Sequence, residues 1–181
     1  VEQHPDTKLL DRAIGRGFRQ DPYISYYNSS NAGVLGEQNR DPRLERKDLV
    51  LGLDHGRERV AYPLKTLADI LVVNDSYEGT PVVITHDPQG GAAAFNRAVD
   101  GRRLTFEAID RLTMRDVATG STWESLTGTA VDGELVGARL EQLPSFVSFW
   151  FSWTDFHPST ELWEPNEPGR RNIWYMRFRF G

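Results

Sequence analysis

At 181 residues, with 39% apolar and 11% aromatic residues, the chain is long enough for one cored domain with an appendage. A formal net charge of -5 provides no basic surface for a phosphate backbone, which argues against nucleic acid as a partner. With no cysteine, the chain has no disulfides, zinc–thiolate centres, iron–sulfur clusters or thioether-linked haem, and no run of about 18 apolar residues offers a membrane span.

Residues 1–48 read as a helix and extended arm with no core of its own. Lys8–Phe18 sets Leu10, Ala13, Ile14 and Phe18 at helical spacing, with Asp6 or Thr7 as a cap. Tyr23, Tyr26 and Tyr27 follow, then a charged stretch broken by Pro42. Such an arm either lies over the domain surface or docks a neighbour, because tyrosines bring contact area at low entropy cost. A start at Val1 rather than methionine fits a trimmed N-terminus, so any leader or lipid anchor would already be gone.

From residue 49 the pattern changes to short strands, and residues 49–163 read as the core domain. Leu49–Leu53 and Arg59–Tyr62 flank a hairpin turn at His55-Gly56, and Leu64–Ile70 suits a short helix behind Pro63. The continuous apolar run Val82–Thr85 predicts a central strand covered on both faces. Asp100-Gly101, Thr119-Gly120 and Asp132-Gly133 mark further turns, and alternation from Arg103 to Ala108 predicts a half-buried strand.

Ser145–Phe156 sets Phe146, Phe149, Trp150, Trp153 and Phe156 at steps of three and four, which predicts a helix capped by Ser145. Burying five such aromatics would contribute roughly 1.5–3 kcal/mol each before entropy, so the helix reads as a core plug. The segment 164–181 reads as a final edge strand, with Asn172–Phe180 alternating and carrying Arg177 and Arg179. The expected fold is mainly β (α+β): an antiparallel meander or partly closed barrel with one packed aromatic helix and an N-terminal arm.

The ordered pieces VLGLDHGRERVAYPL (50–64), VVND (72–75), GTPVVITHDP (79–88), AAAFNRAVDGRRLTF (92–106), TGSTWESLTGTAVDGELVGARLEQLPS (119–145) and WTDFHPST (153–160) resemble the family called domain of unknown function 3179. The resemblance implies a shared β-rich fold and an exported or lipid-anchored setting, periplasmic or at the cell surface. It also implies a Cys-Pro-x-Cys corner after the central strand, yet the chain reads Asp87-Pro88-Gln89-Gly90 there. A histidine expected before the Val-Asn-Asp element is missing from Ala68–Leu71, and a Gly- and Asn-rich stretch is shortened to Glu107–Arg111. Whatever thiols do in relatives, this chain cannot do in the same way.

Two functional readings follow. In the first, the chain is a non-catalytic extracytoplasmic structural or interaction protein, an accessory subunit of a membrane-attached complex, with no cofactor. Tyr23, Tyr26, Tyr27, Arg177 and Arg179 would contact its protein partner. In the second, the His86-Asp87 corner with Asn74 and Asp75 holds a divalent metal or small ligand, or performs catalysis, with His55 or His157 as a third ligand. Adjacent strand residues face opposite sides, so His86 and Asp87 would meet one ligand only across a kink. Asn74-Asp75 could also orient a substrate or act as an acid/base with Glu124; the alternatives are a solvated turn at His86-Asp87, Asx backbone bonding at Asn74-Asp75 and a helix-terminal His157. No nucleotide-binding loop or hydrolase elbow is present.

Overall fold

Short apolar runs punctuated by glycine turns fold here as fourteen short strands and three short helices among the described residues of a computed structural model. It describes residues 24–27, 29, 36–87 and 89–165. The chain divides into two units, Val1–Asn31 and Ala32–Gly181. In the first, α1 (Ile24–Tyr27) is a single turn, closed where the N–H and Oγ of Ser29 donate to the Tyr26 carbonyl at 3.2 and 3.0 Å. The helix expected over Lys8–Phe18 and the strand over Asn172–Phe180 lie outside the described residues, as do Tyr23, Arg177 and Arg179.

In the second unit, β1 (Leu49–Leu53) and β2 (Val60–Pro63) form the expected antiparallel hairpin, with Leu51 opposite Tyr62. Helix α2 (Leu64–Ile70) starts behind Pro63, as the fixed φ of proline allows. It stops at Leu71, whose φ of 66° leaves the helical region and whose N–H returns to the Leu67 carbonyl at 2.7 Å. Next come β3 (Val72–Tyr77), β4 (Thr80–His86), β5 (Ala92–Asn96) and the small pair β6 (Ala98–Val99) and β7 (Arg102–Arg103). The pair turns at Asp100-Gly101, where both residues hold positive φ. Four short strands follow: β8 (Phe106–Ala108), β9 (Thr113–Asp116), β10 (Thr122–Glu124) and β11 (Ala130–Asp132). The chain ends with β12 (Glu141–Gln142), β13 (Phe146–Phe149), α3 (Trp150–Phe156) and β14 (Glu161–Leu162).

Three four-stranded sheets result, in the orders β13-β1-β2-β14, β12-β5-β4-β3 and β11-β10-β9-β8, with β6-β7 as a fourth, two-stranded sheet. Pairing is antiparallel apart from β14 on β2, and the described residues form no closed barrel, so the mainly-β expectation holds. The sheet built on β4 is covered on both faces, as its uninterrupted apolar run requires. Val82, Ile84, Val73 and Ala94 pack with Leu51, Leu53, Tyr62 and Leu67 on one side. Val83, Val72 and Phe95 pack with Phe106, Met114 and Trp123 on the other.

The aromatic segment departs from expectation. Its first half, Phe146–Phe149, is the strand β13 paired with β1, and the helix begins only at Trp150, with Phe149 rather than Ser145 at its N-cap position. Trp150 and Trp153 are buried, whereas Phe146 and Phe156 are 47% and 80% exposed, so two rings and not five anchor α3. The strand expected over 103–108 also breaks: Leu104 and Phe106 are buried as the alternation requires, but β7 and β8 belong to different sheets.

Of the arm, residues 36–48 lie along α3. Asp155 Oδ1 accepts the N–H groups of Gln38 and Asn39 at 2.8 and 2.7 Å, and the Trp150 indole donates to the Asp41 carbonyl at 3.1 Å. Arg43 stands over the Trp150 ring, and Leu44 packs onto the cluster of Val50, Ala61, Trp150, Trp153 and Leu162. This stretch therefore forms part of the domain surface.

Candidate functional site

The four corner candidates are all buried, which the turn readings did not anticipate: Asn74 is 4% exposed, Asp75 3%, His86 6% and Asp87 7%. Asn74 and Asp75 sit inside β3 rather than at its boundary. The Asn74 amide donates to the Phe106 carbonyl at 2.7 Å and accepts the Phe106 N–H at 2.8 Å. It bonds backbone, as an Asx residue tends to, but across 32 residues rather than within a turn. This carboxamide stitches β3 to β8 where the two sheets meet. Asn74→Asp keeps the acceptor but turns a carboxylate oxygen toward the Phe106 carbonyl. We expect it to cost about 3 kcal/mol in chemical denaturation, since a buried carbonyl loses its donor and gains a like charge. A cost below about 1 kcal/mol would mean that the stitch contributes little.

Asp75 accepts the Tyr62 hydroxyl at 2.9 Å on Oδ2 and the Ser76 N–H at 2.7 Å on Oδ1. Glu124, its suggested acid–base partner, is exposed on a different sheet and accepts the Thr127 hydroxyl at 2.8 Å. Asp87 closes its own corner: Oδ1 accepts the N–H groups of Gln89 and Gly91 at 2.8 and 2.9 Å, while backbone bonds link Asp87 with Gly91 and Gly90. The corner is thus a carboxylate-capped loop and not a solvated turn.

His86 is different. Its Nδ1 is buried with no hydrogen-bond partner, and burial pushes its pKa down, against the opposing charge of Asp87. The backbone N–H of His86 donates to Leu71, the residue held at positive φ across the sheet.

Register keeps the four apart. Asp75 pairs with Val82 and shares its face, so His86 lies four residues farther along β4, about 13 Å away. Asn74, opposite Val83, projects to the other face, and Asp87 follows the end of β4 in its own loop. His55 stacks near Tyr77 with ring centroids 4.7 Å apart. His157 is the C-cap of α3, as the helix-terminus reading expected, against Trp153 at 4.2 Å and Asp54 at 3.6 Å. Burial pushes its pKa down while Asp54 opposes. Among the described residues, no three His, Asp or Glu side chains cluster to hold a metal.

Two polar groups escaped the sequence reading. Arg97, 3% exposed, donates Nε to the Val82 carbonyl at 3.1 Å and Nη1 to the Leu104 carbonyl at 2.6 Å. Burial, with Arg103 nearby, lowers its pKa. Its position just before the Ala98–Arg103 hairpin carries no periodic signal, so sequence spacing had nothing to flag. Glu78 accepts the N–H groups of Arg57 and Glu58, and those bonds lower its pKa. Its signal was available: Glu78-Gly79 is a two-residue turn between apolar strands with glutamate where asparagine is usual.

A family model described as a protein of unknown function (DUF3179) matches residues 1–160, arm included. No curated protein and no solved structure matches the chain.

Proposed function

The chain belongs to the DUF3179 family, and from that premise we propose that it is a non-catalytic interaction protein, an accessory subunit of a membrane-attached assembly outside the cytoplasm. The observation that carries the reading is Asp87. At the corner where the resemblance sets thiols, its carboxylate is spent on the amides of its own loop. Asn74 and Asp75 are likewise engaged within the fold and project to opposite faces of β3. Compartment rests on the resemblance to a family of exported or anchored proteins. No helix among the described residues is long and apolar enough to cross a membrane; in this reading attachment comes through a partner or a removed anchor. Tyr23, Tyr26, Tyr27, Arg177 and Arg179 are the proposed partner contacts, and no cofactor is needed. Native mass spectrometry of untagged protein from its own source tests this. A defined complex with a second protein supports it, and a lone chain carrying a stoichiometric metal or small ligand overturns it.

The unpartnered Nδ1 of His86 favours a second reading, in which the corner binds a divalent metal or small ligand. His86→Leu separates the two. If the imidazole serves nothing, leucine removes an unsatisfied buried atom, and stability at neutral pH should rise by about 1 kcal/mol. Because the folded-state pKa of His86 lies below its ordinary value of 6.5, its neutral form stabilises the fold fully above that value. This contribution is lost as pH falls from 6.5 through the lowered pKa. The stability difference between variant and parent should therefore widen on acidification. A leucine variant that is less stable, or that loses a bound metal the parent carries, would favour the second reading.

A further inference from the structure

Between β3 and β4 the chain turns in two residues, Glu78 at φ 48° and Gly79 at φ 79°. Two positive φ values define a type I′ turn, whose first position favours asparagine, aspartate or glycine over glutamate. Asparagine would ease the backbone, but it would not reach as far. The Glu78 carboxylate extends to the turn between β1 and β2, where Oε1 accepts the consecutive N–H groups of Arg57 and Glu58, the latter at 2.7 Å. Successive amides aimed at one oxygen make an anion-binding concavity. Gly56 leaves room for it, since a Cβ there would overlap the carboxylate. Arg57 adds positive potential around it. Glu78 is itself exposed, so the concavity opens at the surface and its occupant is within reach of competitors.

We propose that the Gly56–Glu58 turn is a binding site for a carboxylate of a partner protein, with Glu78 as the internal carboxylate that this ligand displaces. The site lies away from the Asp87 corner and does not depend on the accessory-subunit reading. An internal ligand on a short tether acts at an effective concentration of about millimolar or more, so the parent protein should resist small competitors.

Glu78→Asn vacates the site while supplying a residue that the turn prefers. Acetate, with chloride as the ionic-strength control, is titrated against both proteins while amide resonances are followed by NMR. In the variant, the Arg57 and Glu58 amides should shift saturably with acetate and not with chloride, and the parent should need at least tenfold more acetate. Two short peptides then identify the source: one whose sole carboxylate is its C-terminus, and one amidated with a single aspartate. If Glu78→Asn disturbs β3 and β4, Glu78→Asp, one methylene shorter and tolerant of the same φ, repeats the test. Acetate that moves neither amide in a folded variant overturns the site. Equal shifts in parent and variant overturn the role of Glu78 as its occupant.

Discussion

Trp153→Ala is expected to destabilise the protein by about 3–5 kcal/mol, a large share of the stability of an ordinary domain. The indole is 1% exposed, its Nε1 donates to Thr160 Oγ1 at 2.8 Å, and that hydroxyl donates in turn to the Arg59 carbonyl at 3.1 Å. Alanine removes the ring from the cluster of Val50, Ala61, Trp150 and Leu162, and it also takes away the indole donor to the buried Thr160 hydroxyl. The reason the ring fits lies on β1. A Cβ at Gly52 would overlap the Trp153 six-membered ring, so glycine here answers a close approach and not a turn. Gly52→Ala should then cost about 1–3 kcal/mol by overpacking. The two changes should be strongly non-additive, because the three atoms nearest an alanine Cβ at 52 all belong to the indole. Denaturant titrations of both singles and the double, followed by far-UV circular dichroism, give the coupling. A Gly52→Ala cost that persists undiminished beside Trp153→Ala would place the clash elsewhere.

The hairpins were legible because their turn chemistry is local: Asp100-Gly101 and Thr119-Gly120 declare themselves in two residues. The central strand was legible because only a strand buried on both faces sustains Val82–Thr85 without a polar break. The aromatic segment was not, because helical spacing in Phe146–Phe156 is real from Trp150 onward and accidental before it. Pairing of Phe146–Phe149 with β1 is a long-range event that no local spacing records. The same holds for the corner. His86, Asp87, Asn74 and Asp75 look like a ligand set in one dimension, while the register of β3 on β4 sets Asp75 opposite Val82, four residues from His86, and turns Asn74 to the other face. Sequence spacing also places polar side chains at turns by default, so the buried backbone bonds of Asn74 and the carbonyl contacts of Arg97 were out of its reach.

Arg97→Met is expected to cost about 3 kcal/mol, and Arg97→Lys most of that. The guanidinium is buried and reaches carbonyls on three segments: Val82 on β4, Leu104 after β7 and, at 3.4 Å, Asp75 on β3. Its backbone joins the same junction, with its N–H on the Pro81 carbonyl and its carbonyl accepting from Leu104, both at 2.9 Å. Replacing a buried ion pair by apolar residues is often harmless, because both partners leave together. Here the acceptors are backbone carbonyls, which stay behind and lose their donors when the arginine goes. Burial already lowers the pKa of Arg97, so desolvation opposes its charge and the hydrogen bonds must outweigh it. Lysine keeps the charge but lacks the planar fork that spans three acceptors. Hydrogen exchange should localise the loss, with protection falling at Leu104 and along β8 before β1 and β2 respond. A methionine variant within 1 kcal/mol of the parent, with unchanged exchange at Leu104, would show that packing alone holds this junction.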